Sequence, residues 1–368
     1  MKILAMIDSF KGTITSKELG ILTKEVLNRY NIECDYFATS DGGDGFLDSL
    51  LTEDGFEVKK VQASDPMFRK IECEYLINNN VAYIEMAKIS GINLLTKEEL
   101  DPFTRSTYGL GEVILDAINN GYKRIVLGIG GSATNDAGMG LLEALGVKFY
   151  SSDKLINNIK NEDFSLVTSI DRKLFNDRIK DTQFIVISDV QNPLLGPTGA
   201  TYTFSKQKGA KEEDFVKLEE NIKYISDFGK NSIDKPGSGA AGGVGYALHE
   251  YFNAKFIPGI DYLLDRVSFK EIIKTYDYII TGEGKVDSQS LLGKVVFKIA
   301  SNANKQNVIV VCAINEVKDI DNANIVDIYS IVNSDVSIND SLNNPTYYYK
   351  KMIERLAKDL KEKMIWKK

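Results

Sequence analysis

An α/β fold of two domains, each built around a mainly parallel sheet, is predicted by three features of the sequence. Short apolar runs rich in β-branched residues recur along the chain, amphipathic segments separate them, and each run ends in a polar loop that carries glycine. Continuous apolar runs mark strands buried on both faces, the condition of a parallel sheet between helical layers. A length of 368 residues accommodates two domains of ordinary size.

The elements follow in order. "KILAMI" is a strand ending in "DSFKGT", and "TSKE" (Thr15 to Glu18) has the pattern of a capping box, which starts a helix running to about Tyr30. "ECDYFA" is the next strand and ends at "TSDGGDG". "RKIECEYLI" and "VAYIEMA" flank a turn at Asn78 to Asn80 and predict an antiparallel hairpin. "RIVLGIGG" leads into a helix, "FIVISDV" into a loop, "YDYIITGEG" into a helix, and "NVIVVCAI" is a late strand. The charged run Lys206 to Lys230 reads as a solvated scaffold helix. The tail "YYYKKMIERLAKDLKEKM" is an amphipathic closing helix with its charges toward solvent.

Composition excludes several classes of function. Lys and Arg number 45 against 52 Asp and Glu, a net charge of −7, which argues against a nucleic-acid footprint; a local cluster of cations and backbone N–H groups can still hold one polyphosphate. Cys34, Cys73 and Cys312 are too few and too far apart for a disulfide framework or a zinc site. The first residues lack the long apolar core of a signal peptide, and no stretch has the apolar length of a membrane span. A soluble, cytoplasmic protein is expected. His249 is the sole histidine, and its amphipathic surroundings read as structural, so chemistry by carboxylate and lysine is favoured over a Ser-His-Asp or Cys-His mechanism.

In open α/β sheets a ligand sits beyond the carboxyl ends of the strands. That rule places "DSFKGT", "SDGGDG", "GIGGSATND", "SDVQNP" and "TGEGKVD" on common ground. Gly128, Gly130 and Gly131 can admit an anion to backbone N–H groups at a helix start, or form a tight turn capped by Ser132, Thr134 or Asn135. Gly128 and Gly130 fit the dinucleotide fingerprint, but position 133 lacks its third glycine. "GSGAAGGVGYAL" (Gly237 to Leu248) is a second glycine-rich candidate, equally suited to close helix packing. Asp8, Asp41 and Asp44 are turn formers or ligands of a substrate hydroxyl. Lys11, a cation on such a loop, suits a carboxylate or phosphate. Asp189, directly after an apolar strand, is a candidate general base or Mg²⁺ ligand, and Glu283 and Asp287 add hard oxygen donors. "TGEGKVDSQSLLGK" superficially suggests a Walker loop, but Ser288 and Val295 stand where that motif needs glycine and Ser/Thr.

Taken together, "DSFKGT", "SDGGDG", "IEMAKISGI", "TYGLGE", "GIGGSATNDAGMGLLEALG", "DVQNPLLGPTGAT", "KGA", "GSGAAGGVGYAL" and "TGEGKVDSQSLLGK" resemble the bacterial glycerate kinase family, of the type that makes 2-phosphoglycerate. Phe68 and Ala137 stand where that family often has glycine, Ser188 where it often has cysteine, and Ile314-Asn315 where it tends to glycine. The resemblance implies a Rossmann-like domain of residues 1–68 and 285–368 with an α/β domain, 69–284, inserted into it and the active site in the cleft between them. It also implies ATP- and Mg²⁺-dependent phosphorylation of D-glycerate, a small-molecule substrate with no nucleic-acid or membrane partner, and leaves the oligomeric state open. Lys11, Arg69 and Arg105 would then fix the glycerate carboxylate, with Asp8, Ser9, Asp41, Gly42 and Gly43 around the substrate. Asp189 would be the base or the Mg²⁺ anchor, Gly130, Gly131, Ser132 and Asn135 would cradle ATP phosphates, Lys294 would lie near phosphate, and Glu283 and Asp287 would be further Mg²⁺ ligands. Transfer to the 3-hydroxyl, a related sugar acid as substrate, a non-catalytic ligand-binding regulator and a dehydrogenase are the competing readings.

Overall fold

Five strands lie side by side in the order Ile325–Ser330, Asn307–Asn315, Tyr278–Val286, Lys2–Ile7 and Glu33–Tyr36, each pair parallel. The computed structural model describes residues 1–229, 232–287, 295–317 and 324–365. The chain divides into two units, the first formed by Met1–Ser40, Asp48–Asp54 and Gly259–Lys368, the second by Asp41–Leu47 and Gly55–Pro258.

Numbered within the first unit, its strands have the doubly wound order 2-1-3-4-5, with the switch point between Lys2–Ile7 and Tyr278–Val286. Successive side chains of a strand point to opposite faces, so "KILAMI" is apolar throughout because both faces are covered. Ile3, Ala5 and Ile7 meet Leu19, Val26, Tyr349, Ile353 and Leu356 from the helices Ser16–Arg29 and Pro345–Ile365. Leu4 and Met6 meet Leu263, Phe269 and Ile299 from the helices Gly259–Arg266, Phe269–Ile272 and Val295–Asn302. The first helix starts where its capping box placed it: the Glu18 N–H donates to the Thr15 hydroxyl at 3.2 Å, and the Thr15 N–H donates back to the Glu18 carboxylate at 2.9 Å.

In the second unit Lys255–Ile257, Gln183–Ile187, Arg124–Gly128 and Val81–Glu85 pair in parallel, and Lys70–Asn78 and Glu57–Ser64 extend the sheet antiparallel. The hairpin turn is built on Asn79 (φ 48°) and Asn80 (φ 62°), left-handed positions that asparagine tolerates and that match the twist of the flanking strands. Ile84, Leu127 and Val186 anchor the core of this unit, with Val113, Leu141 and Val244 among the helical residues packed on it. A small antiparallel sheet of Lys154–Ile156, Lys148–Ser151 and Ser169–Asp171 is appended.

Three details differ from the sequence expectation. The boundaries 69 and 284 cut through hydrogen-bonded sheets: Glu57–Ser64 pairs with Lys70–Asn78 in the second unit, and the strand Tyr278–Val286 pairs with Lys2–Ile7 in the first. Sheet membership is fixed by partners remote in sequence, which local pattern does not reveal. The helix after "RIVLGIGG" begins only at Met139, because the intervening residues form a loop. The charged run contains a helix, Phe215–Ser226, whose Leu218, Ile222 and Ile225 are buried; ahead of it Lys208 is buried as well, at 1 % exposure. Phe68 (φ 63°) and Ala137 (φ 49°) adopt left-handed backbone, which explains on conformational grounds why glycine suits both positions.

The closing helix is joined to the first by a buried polar contact, the Thr23 hydroxyl lying 2.6 Å from the Tyr349 hydroxyl while also donating to the Leu19 carbonyl. Tyr349→Phe removes that contact without opening a cavity. A loss of about 1 kcal/mol is expected, measured as a lower denaturation midpoint in urea.

Candidate functional site

The carboxyl ends of the parallel strands in the second unit are Glu85, Gly128, Ile187 and Ile257, and four polar segments meet there. The Gly130 N–H donates to the Gly42 carbonyl at 3.0 Å, which lays the "SDGGDG" segment directly on the "GIGGSATND" loop. Gly42 has φ 84°, and a Cβ there would fall on the Ile187 carbonyl oxygen. At Gly130 a Cβ would lie 2.5 Å from the Gly43 Cα. Neither position has room for a side chain. Asp41 turns back on itself, its Oδ1 accepting from the Gly43 N–H at 2.9 Å. Asp189 follows Ile187 by two positions and is exposed. Asp41, Gly42, Gly43 and Gly130 are thus brought together, with Asp189 on the strand end against which Gly42 packs.

A second layer holds these loops, and sequence reasoning missed it. Glu85 ends its strand fully buried and accepts from the Gly45 N–H at 3.1 Å and the Leu47 N–H at 2.9 Å, one on each carboxylate oxygen. Burial pushes its carboxyl up to about 7, against the pull of those two backbone donors. Asn93 donates to the Asp44 carboxylate at 2.5 Å, and the Ile92 N–H donates to the Gly131 carbonyl at 2.9 Å. The Ala133 N–H donates to the Ser90 carbonyl at 2.9 Å. The segment "EMAKISGIN" therefore braces both the aspartate loop and the glycine loop. Its apolar periodicity was legible; the inward turn of Glu85 was not, since a strand-end glutamate ordinarily faces water.

Of the two arginines singled out, Arg69 is engaged by carboxylates of the same unit, with Nε donating to Asp65 at 2.5 Å and Nη1 to Glu99 at 2.6 Å. Arg105 Nε donates to the Glu99 carbonyl at 2.6 Å, so the two guanidinium groups share a neighbour. A substrate carboxylate at Arg69 would have to compete with Asp65 and Glu99.

In the first unit the switch point gathers Asp8, Ser9 and Glu283. The Asp8 N–H donates to the Gly282 carbonyl at 2.8 Å, while Asp8 Oδ1 accepts from the Ser9 N–H at 2.8 Å and from the Thr39 hydroxyl at 3.1 Å. Ser16 completes the set by accepting from the Thr39 N–H at 2.8 Å and donating to the Ile7 carbonyl at 2.5 Å. Lys11 is exposed in the tight turn between Phe10 and Ile14. Glu283 is buried, one residue beyond Gly282, and Asp287 lies 4.0 Å from the Lys285 ammonium. Lys294 lies outside the described residues, as do Ser288 and Gly293.

The remaining titratable candidates have structural roles. Burial pushes the thiols of Cys34 and Cys312 up to about 12 and that of Cys73 up to about 11, leaving them protonated and unreactive near neutrality. His249 stacks on Phe256 at 3.8 Å and its Nε2 lies 3.1 Å from the Pro236 carbonyl. Among the described residues there is no cluster of three or more His, Cys, Asp or Glu placed to hold a metal ion. A Mg²⁺ that arrives with a nucleotide needs only one or two carboxylates and takes its other ligands from phosphate and water; the exposed Asp189 has the chemistry for that. Among the described residues no helix is long and apolar enough to cross a membrane.

A model of the glycerate kinase family matches residues 3–361. The chain is 32% identical to a glycerate kinase of Bacillus subtilis, over 98% of this chain and 97% of that protein. It is 33% identical to the glycerate 2-kinase of Escherichia coli, over 83% and 82% respectively. Among solved structures, one described as a candidate glycerate kinase 2 from Salmonella typhimurium superposes with a TM-score of 0.83 at 27% identity, covering 99% of each chain.

The brace makes a pH-dependent prediction. Because the folded pKa of Glu85 is raised, the native protein binds the extra proton between the ordinary glutamate range and about 7, so this group's contribution to stability falls as pH rises through that window. Glu85→Gln leaves one loop N–H facing an amide NH₂, and should destabilise by about 1–3 kcal/mol while flattening that part of the pH profile. Thermal unfolding of both proteins between pH 4.5 and 8 measures it.

Proposed function

Because this chain belongs to the glycerate kinase family, we propose that it transfers the γ-phosphoryl group of ATP to the 2-hydroxyl of D-glycerate, giving 2-phosphoglycerate and ADP. Similarity to a protein named glycerate 2-kinase supports the choice of hydroxyl. The observation that carries the reading is the meeting of Asp41–Gly43, the Gly130 turn and the strand end bearing Asp189 at one sheet edge.

Phosphoryl transfer asks little covalent chemistry of a protein. It needs the acceptor oxygen in line, the charge on the transferred group offset, and water excluded. Backbone N–H groups of Gly131 and Ser132 are proposed to face the phosphates, beside Gly130 whose own N–H is given to Gly42, on a loop held rigid from the "EMAKISGIN" side. Mg²⁺, when bound, would offset charge on the β- and γ-phosphates, with Asp189 as its protein ligand or, in the alternative role, as the base that accepts the hydroxyl proton while the new O–P bond forms and ADP leaves. Asp8, Ser9 and Lys11 are proposed to serve the same reaction on the substrate side. Lys11, an exposed cation, suits the glycerate carboxylate, and Arg69 and Arg105 remain the clamp candidates of the second unit. Glu283 and Asp287 remain further Mg²⁺ candidates, while Asn135, fully enclosed, could serve the phosphates only from beneath the loop.

Asp189→Asn keeps the shape of the strand end and removes its charge. Turnover of D-glycerate, followed by coupled ADP release, should fall by roughly two to four orders of magnitude; near-normal turnover in the folded variant would remove Asp189 from both roles. Phosphorus NMR of the wild-type product should show a single ester on the 2-oxygen, and a 3-phosphate signal would move the acceptor to the neighbouring hydroxyl.

A further inference from the structure

Beneath the glycine loop lies a lysine that the functional reading does not use. Lys208 ends a 3₁₀ turn, Lys206–Lys208, and its side chain runs inward until the ammonium is enclosed. Nζ donates to the Ser132 hydroxyl at 2.8 Å and to the Thr134 carbonyl at 2.6 Å, so both bonds go to the loop that carries Gly130 and Gly131. Beside it the loop buries further polar groups: Asn135 is fully enclosed, and neither its Oδ1 nor its Nδ2, nor the Thr134 hydroxyl, has a hydrogen-bond partner among the described residues. A buried cation is costly unless something negative offsets it. The charged group facing Lys208 is Asp136, whose carboxylate is already taken up by the Thr107 N–H and hydroxyl and by the N–H groups of Gly138 and Gly140.

We propose that Lys208 is a positioning residue for anion binding at the Gly130–Ser132 loop: its ammonium, held under the loop, turns the Ser132 hydroxyl outward as a donor and adds a positive charge beneath the bound phosphate. The reasoning is one of hydrogen-bond inventory. An ammonium only donates, so while Lys208 is charged Ser132 Oγ must accept from it and its own proton is available elsewhere. A neutral amine has a lone pair, to which Ser132 can turn its proton inward. The loop thus has two hydroxyl orientations, selected by the protonation of one buried group. Burial lowers the Lys208 ammonium to about 7 while Asp136 opposes that shift, so the selection falls in the neutral range. A bound anion raises the value and retains the proton. Asp136 is itself pushed upward by burial, and the test is framed to separate the two groups.

This inference rests on the phosphate role given to the loop under the proposed function. Inorganic tripolyphosphate, titrated calorimetrically from pH 6 to 9.5 into wild type, Lys208→Met and Lys208→Arg, tests it directly. The ratio of wild-type to Lys208→Met affinity is the quantity to read, because the ligand's own ionisation cancels in it, and Lys208→Arg, which keeps a charge facing Asp136, controls for that carboxylate. About tenfold at pH 6 is expected, the effect of one charge at several ångströms in a protein interior, falling toward one by pH 9.5. Lys208→Arg, which cannot lose its proton, should keep its advantage over Lys208→Met at high pH. A ratio of one at pH 6, or a ratio that does not change with pH, overturns the proposal. Ser132→Ala, which retains the lysine, should bind tripolyphosphate severalfold more weakly; unchanged binding overturns the proposal even if Lys208→Met fails to fold. Wild type that binds tripolyphosphate with the expected pH-dependent ratio but leaves D-glycerate unphosphorylated would sink the functional reading and spare this one.

Discussion

The contact on which the candidate site depends is a backbone-on-backbone approach: the Gly130 N–H donating to the Gly42 carbonyl with no side chain between them. Two loops from distant parts of the sequence can lie this close only where both are glycine, and Gly42 must also clear the Ile187 carbonyl. The parallel sheet makes the meeting possible. It sends the carboxyl ends of Val81–Glu85, Arg124–Gly128 and Gln183–Ile187 to the same edge, so whatever follows those strands shares one neighbourhood.

Buried ionisable groups then fix the loops from below, and they differ in sign. A carboxylate, Glu85, receives N–H groups of the aspartate loop; an ammonium, Lys208, donates to the glycine loop. Each matches the backbone groups offered to it. Donors pointing inward need acceptors, which the two carboxyl oxygens of Glu85 supply, and an inward carbonyl and hydroxyl accept from the Lys208 ammonium. Charges in such surroundings are poorly solvated, which moves both groups toward neutrality near pH 7. The outer faces of these loops can then remain polar and open to a ligand while Glu85 and Lys208 hold them from the inner side.

In the first unit the corresponding order comes from the switch point. Strands Lys2–Ile7 and Tyr278–Val286 are neighbours in space though far apart in sequence, and the carboxylates are carried by Asp8, just beyond the first, and Glu283, within the second. The chain belongs to the glycerate kinase family, and the whole-length match to a solved relative agrees with the α/β organisation.

Much of the fold was legible because burial on both faces of a parallel strand leaves an uninterrupted apolar run, as in "KILAMI" and "NVIVVCAI", and because the Thr15–Glu18 cap is a local motif. The loops were legible as loops, where glycine and aspartate form turns as readily as ligand sites; Asp41, Gly42, Gly43 and Gly130 were named through the family resemblance, and the structure brings them to one sheet edge. Glu85 and Lys208 were not legible. Each sits in an ordinary-looking polar context, and only the approach of a second segment decides whether its charge faces water or the interior. The unit boundaries escaped for the same reason, because the hydrogen-bond partners of Glu57–Ser64 and Tyr278–Val286 are chosen by the assembled sheet. Sequence by itself determined which segments are strands, caps and turns, since those preferences act between near neighbours; tertiary structure alone decided which polar groups are enclosed together, since desolvation depends on everything that packs around them.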